Sequence, residues 1–188
     1  MSEDLLTDYK HAIDLHHIGE SINITYSRAG KVRTAKFNAD RALESYSLVA
    51  GEQFDETPEY YIYGGILFVP LNMNLIKRWG NDWSRAAPVA LFQARNEWSS
   101  PERRERVVAL QVLAADVNLG YHDWRNWVVD SVNGEPIRDF AHFSDMVKNS
   151  GSDNIVFENT NGYQMVINHA DAVDSEQQIL DQYRIPAA

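Results

Sequence analysis

Two kinds of apolar spacing alternate along the chain, and each predicts its own elements. Leu5, Leu6, Tyr9, Ile13 and the run Leu15 to Ile18 recur at three- and four-residue intervals, which predicts an amphipathic helix closed near Gly19. Ile22, Ile24 and Tyr26 then alternate with polar residues, Ser27-Arg28-Ala29-Gly30 is a turn sequence, and Val32, Thr34 and Phe37 read as the returning strand of a hairpin. One helix and one hairpin cannot close a core alone, so residues 1–39 read as part of a domain. Gly51, Asp55, Glu56 and Pro58 break every period, and residues 40–59 read as a linker.

The remainder, residues 60–188, carries a denser pattern. Tyr60-Tyr61-Ile62-Tyr63 leads through Gly64-Gly65 into the apolar run Ile66 to Val69, which has the length of a buried strand and is stopped by Pro70. The glycines mark a turn or a close backbone approach. Leu75 to Trp98 reads as a helical stretch interrupted at Pro88, and Val107 to Leu113 as a second buried strand. Asn126 to Val132 precedes the turn dipeptide Asn133-Gly134, and Asp139 is placed to cap a helix with Phe140, Phe143, Met146 and Val147 on one face. Ile155 to Phe157 and Tyr163 to Ile167 flank Thr160-Asn161-Gly162 as a hairpin, and Val173, Ile179, Leu180 and Tyr183 mark a terminal helix stopped by Pro186. The expectation is a small mixed α+β domain. The order helix then hairpin occurs at both Leu5 to Phe37 and Phe140 to Ile167, as two copies of one fold would give, the first truncated.

Charge and composition then remove whole classes of function. Seventeen Lys plus Arg against 27 Asp plus Glu leave a net charge of −10, a field that repels nucleic-acid backbones and anionic lipid headgroups. The basic run Arg103, Arg104 and Arg106 is interleaved with Glu102 and Glu105 and reads as a solvated helix face. Without cysteine there are no disulfides, zinc–thiolate sites or cysteine nucleophile. The apolar runs fall far short of the roughly 20 residues a bilayer span requires. A soluble protein is expected, its compartment open; Met1 to Asp4 carry no targeting pattern, and any such segment would lie upstream.

Candidate chemistry is sparse. No Gly-x-Ser-x-Gly or Gly-Asn-Ser-Gly turn provides a serine nucleophile with its oxyanion amides, and no phosphate-binding glycine loop occurs. His11, His16 and His17 lie near Asp8, Asp14 and Glu20 without the His-Glu-x-x-His spacing of a zinc helix, so they read as solvated polar residues, as does His122-Asp123. The five tryptophans suit core packing better than a ligand platform. The most specific feature is the Gly64-Gly65 entry into Ile66-Leu67-Phe68, where consecutive amides form a nest suited to a carboxylate.

These residues resemble a known family. Gly65-Ile66-Leu67-Phe68 is similar to the carboxylate loop of PDZ domains, and Val132 to Ile137 followed by a capped helix resembles the PDZ strand, turn and groove helix. Val107 to Tyr121 and the closing Ile179 to Pro186 resemble the second PDZ-like domain of Deg/HtrA (Do-like) serine proteases, and Gly19 to Lys31 the last helix and hairpin of the preceding PDZ domain. The implied fold is α+β: a PDZ-like, partly open β-barrel or sandwich capped by helices, preceded by a helix–hairpin remnant of another PDZ domain.

The implied function is non-catalytic. The family's protease domain has no counterpart here, so no catalytic, metal or cofactor residue is assigned. A peptide would add as a strand beside Ile66 to Val69, its carboxylate on the amides of Ile66, Leu67 and Phe68. Gly64, Gly65, Ile66, Leu67, Phe68, Val69, His142 and Met146 are therefore the expected peptide-binding residues, His142 contacting the third-from-last peptide side chain. Expected partners are peptide or unfolded segments, the parent's own protease domain and sibling subunits in a homo-oligomer. The same branch also uses such domains for assembly, with the groove closed or filled by the protein's own chain. A stand-alone PDZ adaptor is the rival expectation.

Overall fold

The computed structural model describes residues 11, 13 and 15–186, and the chain divides into two compact units between Tyr46 and Ser47. In the first unit the expected hairpin forms. Strands β1 (Ser21–Arg28) and β2 (Lys31–Asn38) pair antiparallel from Ser21↔Asn38 to Arg28↔Lys31, closed by Ala29 and Gly30 at φ 51° and 73°. Nearly every position is exposed; Ile22 is the buried exception. Leu5, Leu6, Asp8, Tyr9 and Asp14 of the expected helix and histidine-rich face lie outside the described residues, while His11 and Ile13 are helical.

The second unit is built on two sheets. One has the order β3-β4-β5-β6, from β3 (Tyr61–Tyr63), β4 (Ile66–Pro70), β5 (Val107–Val112) and β6 (Arg125–Val129), with every neighbouring pair antiparallel. The other has the order β10-β9-β7-β8, from β7 (Ser131–Val132), β8 (Glu135–Pro136), β9 (Asn154–Glu158) and β10 (Gln164–Asn168). Neither closes into a barrel. Between β4 and β5 come three short helices, α1 (Met73–Lys77), α2 (Trp83–Ala86) and α3 (Val89–Ala94); α4 (Phe140–Lys148) follows β8 and α5 (His169–Tyr183) ends the unit.

The first sheet is buried on both faces, which is why its strands read as unbroken apolar runs. Successive side chains point to opposite sides. Ile66, Phe68, Val107, Ala109 and Val129 join the main core with Phe140, Phe143 and Val147 of α4 and Ile155, Phe157, Met165 and Ile167 of the second sheet. Val69, Val108 and Val128 face the other way, into a smaller cluster with Ile76, Leu91 and Ala94 of the three helices. Leu48 and Val49 are also buried, and Ala50 bridges to Asn72, so part of the stretch read as a linker is packed into the second unit. Phe68 forms the centre of the main core, its ring 4.8 Å from those of both Phe143 and Phe157.

Two expectations are corrected. The helical stretch from Leu75 to Trp98 is three separate helices, because Gly80 at φ 81° and Pro88 each end a segment, and it begins earlier, where the Asn72 side chain accepts the Leu75 amide. The Arg103 to Arg106 run is not a helix face. Arg106, 8% exposed, donates to the Glu97 carboxylate through Nε and Nη2 and to Asp130 through Nη1, and Arg103 reaches the same Asp130 oxygen at 2.7 Å. Immediately before β5, this guanidinium needs carboxylates to offset its lost hydration. No helix among the described residues is long and apolar enough to cross a membrane.

Phe68→Ala is expected to destabilise the second unit by about 3–5 kcal/mol, the cost of an aromatic-sized cavity in a closed core, read from urea unfolding. A shift below about 1 kcal/mol would contradict the central place of this ring.

Candidate functional site

The Gly64-Gly65 dipeptide is a two-residue hairpin turn. Both residues have positive φ, 54° and 77°, as the tight turn matching strand twist requires, and the register Tyr63↔Ile66, Ile62↔Leu67, Tyr61↔Phe68 follows from it. Glycine is needed at the second position for space as well. A Cβ on Gly65 would lie 2.5 Å from Asn118 Nδ2 and 2.6 Å from the Leu113 carbonyl.

Asn118 explains that crowding. Its side chain is wholly buried; Nδ2 donates to the carbonyls of Gly64 (2.7 Å) and Leu113 (2.8 Å), and Oδ1 accepts the Ala115 amide at 3.0 Å. The Leu113 amide in turn donates to the Gly65 carbonyl at 2.7 Å. Both carbonyls of the turn are thus committed, while its two N–H groups stand outside the strand ladders.

The edge of β4 beside which a peptide strand was expected is already paired. β4 is an interior strand, hydrogen-bonded to β3 on one edge and β5 on the other. Alternate residues of an antiparallel strand turn their amides to alternate edges. Ile66 and Phe68 therefore face β3, and Leu67 faces β5, so the three amides assigned to an incoming carboxylate already serve ladders. Val69 pairs with Val108 and turns its side chain to the smaller cluster. The chain's own β3 lies where an added peptide strand was expected, Tyr61 edge-on to Phe143 of α4 at 6.3 Å.

The remaining expected residues are placed apart from the turn. The His142 ring accepts the Arg138 amide at Nδ1 (3.2 Å) and has Nε2 3.7 Å from Glu135, so it is held at the start of α4. Asp139 caps that helix through the His142 amide at 2.8 Å. Met146 packs against the main core. Beside the outer edge of β3 runs a groove of about 200 Å³ walled by Val147 and Lys148 of α4 and His169 and Val173 of α5. There the Tyr63 hydroxyl lies 2.8 Å from His169 Nδ1, and the Lys148 ammonium sits 5.2 Å above the Tyr61 ring. Asn118, Tyr63 and His169 were not anticipated. The Gly-Gly spacing between two strand-like runs does signal the hairpin, but nothing local signals that a distant asparagine clamps it.

Burial pushes the hydroxyls of both Tyr61 and Tyr63 up to about 12, with Glu176 adding to the first and Tyr61 to the second. Their neutral forms are favoured in the folded state. That stability is complete below the ordinary tyrosine value, roughly 10, and is lost as pH rises through the folded value. Phenolate absorbance is expected to show two of the nine tyrosines lagging, with unfolding becoming easier over the same alkaline window. All nine titrating together would contradict the packing of β3.

Asn118→Ala is expected to cost about 1–3 kcal/mol for each buried group left unpaired, and Gly65→Ala to destabilise through its φ and its clashes. Amide exchange at the turn and in β3 should quicken in both variants; unchanged protection would refute the clamp.

Comparison with known proteins agrees with this architecture. Residues 49–188 match the family model described as PDZ domain, and the chain belongs to the PDZ domain family. Its wider similarity is to Do-like proteases, the Deg/HtrA type, over nearly its whole length. It is 27% identical over 181 residues to "Protease Do-like 4, mitochondrial" of Arabidopsis thaliana, covering 96% of this chain and 32% of the relative. With "Protease Do-like 2, chloroplastic" of the same plant it shares 32% identity over 130 residues, covering 69% of this chain and 21% of the relative. The chain thus spans about a third or less of these relatives' length.

Proposed function

We propose that this chain is the non-catalytic PDZ portion of a Do-like serine endopeptidase, handling peptide segments and holding sibling subunits together so as to regulate proteolysis. In this reading residues 1–39 are the end of a first PDZ domain, 40–59 a connection and 60–188 the second PDZ-like domain. The observation that carries it is the PDZ match over 49–188 within a similarity to Do-like proteases that runs through the first unit as well. The exposure of nearly every residue of the β1–β2 hairpin supports the first part, since a two-stranded hairpin is marginal by itself.

The occupied edge of β4 favours assembly as the resting role. Peptide capture at Gly64 to Val69, with His142 and Met146 on the facing helix, then requires β3 to leave that edge. An extended C-terminus would take its place, and the turn amides would be available to the carboxylate.

The test is titration of the chain with a hydrophobic peptide bearing a free carboxylate and with its amidated twin, followed by amide NMR. Only the first should bind, shifting Gly64 to Val69, and Tyr61→Pro should tighten it by removing a ladder donor of β3. If neither peptide binds the chain or the variant, peptide capture is refuted and assembly alone remains. The parent enzyme is checked separately: a Gly-Asn-Ser-Gly-Gly turn upstream in the same reading frame is expected, and its absence would favour the adaptor.

A further inference from the structure

The helical insert carries charge of the opposite sign to the rest of the molecule. Between Leu71 and Asn96 stand Lys77, Arg78, Arg85 and Arg95 against the single carboxylate of Asp82, a net of +3 in a chain of −10. Lys77 is paired with Glu52. Arg78, Arg85 and Arg95 are exposed and have no carboxylate partner among the described residues.

Two of the three are held in place by aromatic rings. The Arg78 guanidinium lies 5.5 Å from the Trp79 ring centroid and that of Arg95 5.2 Å from the Trp83 ring, which itself lies 6.3 Å from Phe92. Trp79 and Trp83 are half-buried against the smaller core, so the surfaces under the guanidinium groups are fixed. An arginine lying on such a ring gives up little freedom on binding. Its planar fork of N–H donors suits a carboxylate bidentately.

We propose that this insert is a docking surface for an acidic polypeptide segment, its Glu or Asp carboxylates taken by Arg78, Arg85 and Arg95 and its stem lying along Trp79 and Trp83. Charge complementarity selects the occupant. A short acidic segment needs only the positive insert, whereas a nucleic acid or an anionic membrane reaches well beyond it, and the rest of the chain carries a net charge of −13. The site is independent of the β4 edge and of any terminal carboxylate.

The probe is a short oligoglutamate blocked at both ends, titrated against the full chain by fluorescence anisotropy, with oligoglutamine as the neutral twin. The glutamate peptide should bind, more weakly as salt is raised, and the glutamine peptide should not. Replacing all three arginines (Arg78→Gln, Arg85→Gln, Arg95→Gln) should weaken binding by roughly tenfold or more. Replacing them with lysine should recover only part of the loss, because the charge returns without the fork. Removing three cations elsewhere (Lys31→Gln, Arg33→Gln, Lys36→Gln) should leave the affinity unchanged, with circular dichroism showing each variant folded. Equal loss from the control set, equal binding of oligoglutamine, or attachment to phosphatidylserine vesicles without binding of the glutamate peptide would each overturn the proposal.

Discussion

The second unit depends on one buried amide. Asn118 holds the Gly64-Gly65 turn against the segment leaving β5, and with it the end of β3 and the start of β4. A buried asparagine is costly unless its groups are satisfied. Here its amide and carbonyl ends bond three backbone groups that would otherwise be stranded as the chain leaves the sheet. Since the turn sets the register of a two-residue hairpin, this contact also decides which segment lies on the edge of β4. The site and the fold therefore share a single fastening.

The same sheet explains the insert. β4, β5 and β6 are apolar on both faces, so one face needs a cover that the second sheet and α4 do not provide. Three short helices provide it, with Val49 packed among them. The Arg106 ion network ties the entry to β5 to both sides, joining Glu97 just beyond the insert to Asp130 at the end of β6. The cover leaves its own outer surface to solvent. On it Arg78 lies over Trp79 and Arg95 over Trp83, so tryptophans that pack against the smaller core also hold two of the exposed cations.

The edge of β4 away from β5 is already taken by a strand of the same chain, β3. Strand addition is a competition among backbones for the same N–H and C=O groups. A segment joined by two residues needs no encounter and little loop closure, so it wins against a free peptide unless something else holds it away. The Tyr61 contact with Phe143 and the Tyr63 contact with His169 add side-chain packing to that advantage.

Much of the fold was legible in the sequence. Alternation marked the β1–β2 hairpin, a turn sequence between two short runs marked β9–β10, Asp139 announced its helix by capping it, and continuous apolar runs marked β4 and β5 as buried strands. These signals act within a few residues, where periodicity and turn chemistry are decided. The family resemblance came from the same local stretches. What only the tertiary structure decided were choices between distant or competing partners: β3 rather than an open edge beside Ile66, Asn118 rather than water on the turn carbonyls, Arg106 in an ion network rather than on a solvated helix, and the burial of Leu48 and Val49. Such partners are selected by burial and by the need to satisfy every buried polar group, and neither is written in any one stretch of the chain.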